Sequence, residues 1–594
     1  MTDTILIAIA WPYANAPIHV GNLTGSHLPG DIVARYHRLK GNRVLMVSGT
    51  DSHGTPVTLR ADADGKPVEE VYQHFHNQFI DLFKQCGISY DLFTTTHTEN
   101  HFKVSQSIFL ALKQNGFLYT ETRAQWYSPQ ANRFLPDRYV EGTCYLCGFE
   151  GARSDQCDKC GNVLEPEKLI NPRSKVDGST PELRDTEHFY LNLSKLEPEV
   201  INFLRQRQDY MREPVLGESL GKIESEGLKP RPITRDLDWG IPVPVEGWDG
   251  KCLYVWFEAV IGYLSAVIEW AKISAQPEIW KDWWADPAAK AFYFIGKDNI
   301  FFHTTMWPAE LMGAGEQFAE FFCGESGVCL TLPYDVPANQ FMNLEGQKIS
   351  GSRNWAVWGL DFLSRYDPDP LRYYLTANMP ELRDTDWDWK EFLAHNNNEL
   401  VATWGNLANR VLSFAYKHWE GFIPSPGELR SADREIIDIV EGGFSTVGRF
   451  YESVKLRPAL EEAVRLATEV NKYLDAAGPW FEIKKDKTAA GTTIYTALRA
   501  IDSLKVLFAP VLPFTCEKLH NFLGYDTPLF GEQTIETHTD ALGQHNVLRY
   551  HPAKATGHWQ SSQLLPGQRL NPPGPLFKKL DESIVADERA RLGK

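Results

Sequence analysis

Ile5 to Ala10 (ILIAIA) is an unbroken apolar run, and Val44 to Ser48 (VLMVS) repeats it after one helix-length of chain. A run that does not alternate with polar residues is a strand covered on both faces, which implies a parallel sheet between two helical layers. Pro12, Pro17 and Gly21 mark the turn that follows the first run, and Ile32, Val33, Tyr36 and Leu39 then share one helix face. After the second run, Val68, Val71, Tyr72, Phe75, Phe79, Leu82, Phe83 and Cys86 recur at helical spacing. Ala291 to Ile295 (AFYFI) resumes the strand pattern and leads through Gly296, Lys297 and Asp298 into a helix from Phe302 to Leu311. This order predicts a doubly wound, Rossmann-like parallel α/β sheet.

A chain of 594 residues has room for about three to five domains. Residues 1–115 read as the first half of the sheet domain and 239–330 as its second half. Between them, 116–238 is a connective insertion of short strand-like stretches, prolines and clustered cysteines. Residues 331–389 form a linking domain that carries a Gly/Ser loop. Residues 390–540 read as a helical domain, with amphipathic stretches such as Ala459 to Ala476 and a helical pattern that ends near residue 525. Residues 541–594, rich in Pro, Gly and Gln, read as an extended C-terminal tail.

The apolar share is 43%, with 12% aromatic and 23% charged residues, which excludes a disordered chain. The apolar stretch nearest to membrane length, Cys252 to Ile268, is interrupted by Glu258 and Gly262, so no membrane partner is expected. The first ten residues lack the basic region of a secretory signal, and nine cysteines are an odd number, too few for a disulfide scaffold. A reducing cytoplasm is the expected setting. The net charge of −17, read alone, argues against a nucleic-acid partner, but it says nothing about where the 60 basic residues lie.

Cys144, Cys147, Cys157 and Cys160 have the spacing C-x2-C-x9-C-x2-C, with Gly148 and Gly161 after the second cysteine of each pair. Glycine there permits the positive φ of a knuckle whose amides point at thiolate sulfur. Four thiolates would close a tetrahedral zinc shell and leave no place for water, so the site is expected to be structural. Two redox pairs are the competing reading, and two close pairs in a loop-rich insert favour the metal.

The first strand feeds Trp11-Pro-Tyr-Ala-Asn-Ala-Pro-Ile-His19-Val-Gly21-Asn22. A small turn that opens a helix at the carboxyl edge of a parallel strand is a phosphate site, with Gly21 admitting the nucleotide to the backbone and His19 and Asn22 in reach of it. More than 300 residues later, Gly346-Gln-Lys348-Ile-Ser350-Gly351-Ser352 offers a loop with one cation, suited to a pyrophosphate leaving group. Taken separately, these read equally as a core histidine with a turn glycine and as an ordinary surface turn.

Together the two elements resemble the HIGH and KMSKS signatures of class I aminoacyl-tRNA synthetases. AWPYANAPIHVGN, VSGTDSHGTP, RDTEHF, ITRDLDWGIPVP, YVWFEAVIGY, FIGKDNIFFH and DPDPLRYYL resemble, in order, segments of the methionyl-tRNA synthetase family, over Ile5 to about residue 580. That family makes methionyl-adenylate and pyrophosphate from methionine and ATP, then transfers methionine to the 3′ end of initiator and elongator methionine tRNA. The resemblance implies catalytic roles for His19, Asn22, Lys348 and Arg235. It places ATP at Gly21, Gly296, Asp298 and Lys348, with magnesium on the phosphates. Asn22 stands where the second signature histidine is usual, and Gly351 where the second signature lysine is usual.

The resemblance also implies a methionine pocket of Trp11, Tyr13, Trp256, Val260, Tyr263 and His303, with Asp51 on the substrate ammonium. A thioether packs well on ring edges, and Tyr263 or His303 near sulfur could donate a weak hydrogen bond that leucine could not accept. Trp11 and Val260 stand where better-known members often have Leu and Pro. Asn406, Arg410 and Trp480 would read the anticodon, as an unstacked loop is read. The 390–540 bundle is then the anticodon-binding domain, and the sheet is the catalytic domain. An insert of about 120 residues leaves no room for the editing domain of the valyl, isoleucyl and leucyl enzymes. Nothing after 541 resembles a dimerising barrel, so a monomer is expected. A non-catalytic tRNA-binding paralogue is the alternative that Gly351 raises.

Overall fold

The computed structural model describes residues 2–135, 139–154, 157, 159, 160, 164, 166–325 and 327–594. Its central sheet uses β1 (Thr4–Ile9), β2 (Arg43–Thr50), β3 (Leu92–Thr95), β4 (Lys290–Gly296), β5 (Ala338–Asn339), β6 (Glu532–Asp540) and β7 (Gly543–His551). The strand order is β5-β4-β1-β2-β3-β7-β6. The first five are parallel, with Ile7 of β1 level with Phe292 on one side and Met46 on the other. β7 runs antiparallel to β3, and β6 antiparallel to β7.

The lack of alternation in ILIAIA has a direct cause. Ile5, Ile7 and Ile9 face one core, with α1 (Leu28–Leu39) and α2 (Val68–Cys86). Leu6 and Ala8 face another, with α3 (Glu99–Gln114) and α4 (Val255–Ile273). Both faces are dry, so neither parity of the strand can be polar.

The insertion leaves the sheet domain as a long antiparallel ladder, Leu118–Ser128 against Glu182–Leu191. Beyond it a three-stranded sheet, with Val140–Thr143 between Ala152–Arg153 and Ile170–Ser174, carries the cysteines. Trp126, Val140, Ala152 and Leu169 give this unit its own small core.

The helical region comprises α5 (Asn406–His418), α6 (Ser431–Glu452), α7 (Leu456–Ala477), α8 (Lys487–Phe508) and α9 (Pro513–Phe522). On α7 the buried residues Leu456, Ala459, Leu460, Ala463, Leu466, Ala467, Val470 and Leu474 follow the 3.6-residue period. Their core is continuous with the one beneath β1. Arg372 pins the join. Almost wholly buried, it donates to the carbonyls of Cys86, Val511 and Pro510 and pairs with Asp31 at 2.7 Å. Burial opposes the Asp31 charge, but Arg35 and Arg372 outweigh it and hold the carboxyl down at about 2.

Two expectations are corrected. Residues 390–540 are not helical throughout, because Glu532–Asp540 is β6, paired antiparallel with β7 in the central sheet. Residues 541–594 are not an extended tail throughout, because Gly543–His551 is β7, a strand of the central sheet with Leu548 opposite Phe93. Its sequence, GQHNVLRYH, buries Val547, Leu548 and Tyr550 among polar neighbours. An antiparallel strand beside an edge needs few apolar positions, so the compositional signal was absent. Beyond it the chain packs on the surface, with the Trp559 indole N–H donating to the Phe444 carbonyl at 3.0 Å. Among the described residues no helix is long and apolar enough to cross a membrane.

Candidate functional site

A cavity of about 510 Å³ opens at the carboxyl ends of β1, β2 and β4. β1 lies between β2 and β4, so the chain leaves the sheet in opposite directions on its two sides and a crevice forms there. Two π-helical turns, Leu23–His27 and Phe302–Met306, supply His27 and His303 to its wall. His19, Gly21, Asn22, Gly296, Asp298 and Lys348 also line it, so both signature elements meet despite their separation in sequence.

On the side of the two signature elements, His19 caps the helix that begins at Val20. Its Nδ1 accepts the Asn22 N–H at 3.3 Å, and the Asn22 side chain accepts the His19 N–H at 3.1 Å. Asn22 therefore does the work of a capping-box partner, a role its amide oxygen suits. Burial lowers the His19 ring to about 4, so it is neutral at pH 7, and with Nδ1 accepting, its proton sits on Nε2 as a donor for an anion. A Cβ on Gly21 would lie 3.0 Å from the His19 ring and 3.1 Å from Ile349 of the second element. Glycine there lets the two signatures approach. At the end of β4, a Cβ on Gly296 would lie 2.8 Å from Oδ1 of the exposed Asp298.

Lys348 is exposed, its ammonium 5.7 Å from the Phe341 ring centroid, and it makes no ion pair among the described residues. Lys297, by contrast, is paired with Asp384 at 2.8 Å. Arg353 is exposed beside the loop. Arg235 is not brought to the cavity wall. Its guanidinium lies 4.0 Å over the Tyr254 ring and donates to the Thr234 carbonyl, so it is held by its own short strand.

On the aromatic side, Trp11, Tyr13, Asp51, Trp256, Val260, Tyr263 and His303 all line the cavity. Trp11 fits because two glycines make way for it: a Cβ on Gly49 would lie 2.0 Å from the indole, and one on Gly262 2.7 Å. Trp256 stacks on Phe302 at 4.3 Å and meets the Tyr13 edge at 6.0 Å. The expected donor to sulfur is corrected by counting protons. Burial lowers His303 to about 4, so the ring is neutral with one N–H. Nδ1 faces the Asn299 carbonyl at 2.9 Å and must donate to it, so Nε2 accepts the Tyr263 hydroxyl at 2.7 Å. Both protons are used within the protein, and neither is left for a thioether.

Asp51 is 3% exposed, and its backbone N–H donates to the Pro12 carbonyl at 2.9 Å. Burial, and then the charge of Glu258, hold its carboxyl well above the usual range. A buried ionic network lies behind it, which no sequence motif marks. Glu258 is fully buried on α4 and bridges His53 at 2.9 Å and His101 at 2.7 Å. Burial opposes its charge, but the two imidazoles outweigh that and keep Glu258 ionised. His101 stacks on Trp11 at 6.3 Å, and the His53 backbone N–H donates to Asp51 Oδ1 at 3.2 Å, so the residues that hold Glu258 also touch Trp11 and Asp51. A glutamate in the apolar first half of α4 is the signal the sequence carries for it.

The four cysteines of the insertion form a second site. Their Sγ atoms all lie within 4.8 Å of one another, and none is in a disulfide. Leu146 N–H points at Cys144 Sγ at 3.4 Å, and Gly148 has φ 71°, as the knuckle requires. Gly161 lies outside the described residues. Four sulfurs converging from turns with an amide aimed at one of them fit a metal ion.

On the helical region, Asn406 is exposed and lies one turn before Arg410 on α5. The Arg410 guanidinium lies 4.9 Å from the Trp480 ring centroid and pairs with Asp475 at 3.4 Å, and Phe414 meets the Trp480 ring edge-on at 5.0 Å. Exposed Lys484, Lys485 and Lys487 follow Trp480.

Residues 5–412 match the family model of tRNA synthetases class I (M), and residues 423–550 that of the anticodon binding domain of methionyl tRNA ligase. The chain is 51% identical to the methionine–tRNA ligase of Thermomicrobium roseum, covering 100% of this chain and 99% of that one. It is 46% identical to that of Dehalococcoides mccartyi over 100% of both. Its fold is similar to that of Mycobacterium tuberculosis methionyl-tRNA synthetase in complex with methionyl-adenylate, with a TM-score of 0.75 at 23% identity, covering 97% of this chain and 100% of that one.

Proposed function

The chain belongs to the class I tRNA synthetases of the methionine type, and on that premise we propose how its residues carry out the methionine–tRNA ligase reaction. The methionine carboxylate attacks the α-phosphate of ATP in line, giving methionyl-adenylate and pyrophosphate, and the terminal ribose hydroxyl of the tRNA then takes the methionyl group. No protein nucleophile is required, so the protein's task is to position reactants and stabilise charge. The observation that carries the reading is the single cavity at the sheet's carboxyl edge, which joins two signature elements separated by most of the chain.

In this reading the Nε2 proton of His19 and the Asn22 side chain serve the phosphates, and Gly21 and Gly296 admit the nucleotide. Asp298 accepts the two ribose hydroxyl protons, which suits an acceptor-only carboxylate. Lys348 supplies charge as pyrophosphate leaves. Magnesium travels with ATP as part of the substrate and offsets phosphate charge. Asp51 pairs with the substrate ammonium, and Trp11, Tyr13, Trp256, Val260, Tyr263 and His303 enclose the side chain. Selection for methionine then rests on the fit of a polarizable thioether to ring edges rather than on a donated hydrogen bond. Arg235 has no part in this scheme.

Cys144, Cys147, Cys157 and Cys160 would hold zinc, whose contribution would be to cross-link a unit with a small core. Metal analysis of the purified protein should find about one zinc per chain, and less than about half an equivalent would remove the assignment. Asn406, Arg410 and Trp480 face the anticodon of initiator and elongator methionine tRNA. A monomer in a reducing cytoplasm completes the reading, with none of the nine cysteines in a disulfide. The non-catalytic alternative has no support among full-length relatives that are ligases. Methionine-dependent exchange of pyrophosphate into ATP tests the whole reading. Its absence with methionine present would refute it.

A further inference from the structure

We propose that Trp358 is a positioning residue that latches the two signature elements to each other, and that Asn354 and Gly593–Lys594 anchor the latch. The inference rests on the ligase reading above and adds residues to it. Two backbone bonds tie the segments: Val20 N–H donates to the Val357 carbonyl at 3.0 Å, and Gly359 N–H to that of Ile18 at 2.9 Å. Between them the Trp358 ring lies 6.0 Å from the His19 ring and joins the cavity wall.

The ring also explains why the signature loop can carry glycine at 351. A Cβ there would lie 3.2 Å from Trp358 Cη2, a separation that forces the indole to give way. The indole therefore occupies space that the base of any side chain at 351 would need. With Gly351, the loop has one lysine and a ring braced against it.

The ring plane is fixed from behind. Its N–H donates to Asn354 Oδ1 at 2.7 Å, Asn354 Nδ2 donates to the Lys594 carbonyl at 2.5 Å, and Gly593 N–H donates to the Asn354 carbonyl at 3.0 Å. Both ends of the Asn354 amide are thus used, at a residue with φ 48°, where asparagine is among the few side chains tolerated. Arg589 holds the other end of the loop through Glu345 at 2.7 Å. A path of direct contacts runs from residues 589–594 through Asn354 and Trp358 to His19 and the signature loop. Lys348 acts on a leaving group that His19 helps to bind, so their relative placement enters the rate.

Trp358→Phe keeps an aromatic ring but removes the indole N–H and the ring edge beside Gly351, and Asn354→Ala removes the amide. Each full-length variant should be compared with the unaltered chain by methionine-dependent pyrophosphate exchange and by hydrogen–deuterium exchange. Each should lower kcat about tenfold with the methionine KM within about twofold, a split that general destabilisation would not produce. Deuterium uptake should rise over residues 346–358 and stay unchanged over 456–477. Unaltered kcat in both variants, or parallel loss of kcat and methionine KM, would overturn the latch. If the unaltered chain shows no pyrophosphate exchange, the ligase reading fails instead. The uptake measurement then decides the latch by itself, and unchanged uptake over 346–358 overturns it.

Discussion

The two sides of the cavity are built in opposite ways. On the amino-acid side, Asp51, Val260, Tyr263 and His303 are buried, and Trp11 is wedged between two positions without a Cβ. Each proton of Tyr263 and His303 already has a partner, and two histidines hold Glu258 behind Asp51. On the nucleotide side, Asn22, Asp298 and Lys348 are exposed, and Lys348 has no carboxylate to neutralise it among the described residues. Selecting a small apolar side chain needs a shape fixed in advance, because an adaptable pocket would accept analogues. Phosphate chemistry needs charge that is unpaired until the anion arrives, and water can hold such charge at little cost.

Lys348→Ala strikes the open side and should have the largest effect. Pyrophosphate exchange should slow by about 10²–10³-fold with methionine KM little changed. Near-normal exchange would mean that the unpaired cation is not the working one, and would dissolve the contrast. Glu258→Gln strikes the closed side. Breaking a buried, doubly bonded carboxylate should cost about 3–5 kcal/mol in denaturant unfolding at pH 7 and lower kcat/KM for methionine. Glu258 is held below its ordinary value, so its contribution is complete above about 4.3 and is lost as pH falls further. The variant should therefore lose part of the acid limb of the stability profile. Equal stability of variant and parent would show that the network is not a brace.

The elevated Asp51 carboxyl gives a smaller and graded effect. Only its ionised form can pair with the substrate ammonium, so methionine KM should rise by up to about tenfold per unit as pH falls below its pKa. Asp51→Asn should bind methionine poorly and show no such slope. A KM flat with pH in the parent would remove Asp51 from the ammonium. Trp480→Ala lies outside the cavity and tests whether the contrast is local. Charging of tRNA should weaken by about 10–100-fold while pyrophosphate exchange is unchanged, as loss of one stacked base implies. Equal loss of both activities would make Trp480 a folding residue.

Part of the site is legible in the amino-acid sequence. His19 and Lys348 stand in recognisable motifs, and the cysteine spacing implied a cluster because its geometry is local. Glu258 was visible as a charge inside an apolar stretch, but its partners lie 205 and 157 residues away. Arg235 sits in a family-like segment and still points elsewhere, since a motif fixes a backbone position and the neighbouring Tyr254 decides the side chain.

Buried parallel strands, the order of the regions and the residues able to bear charge are all readable from contiguous stretches of the chain. Those properties follow from periodicity and chemistry carried by contiguous residues. Folding in three dimensions is what adds Gly543–His551 to the sheet, commits the protons of Tyr263 and His303 to a ring nitrogen and a carbonyl, and sets Trp358 in the space beside Gly351. Each depends on atoms brought together from distant parts of the chain, where hydrogen-bond direction and excluded volume decide, and neither is encoded in local pattern.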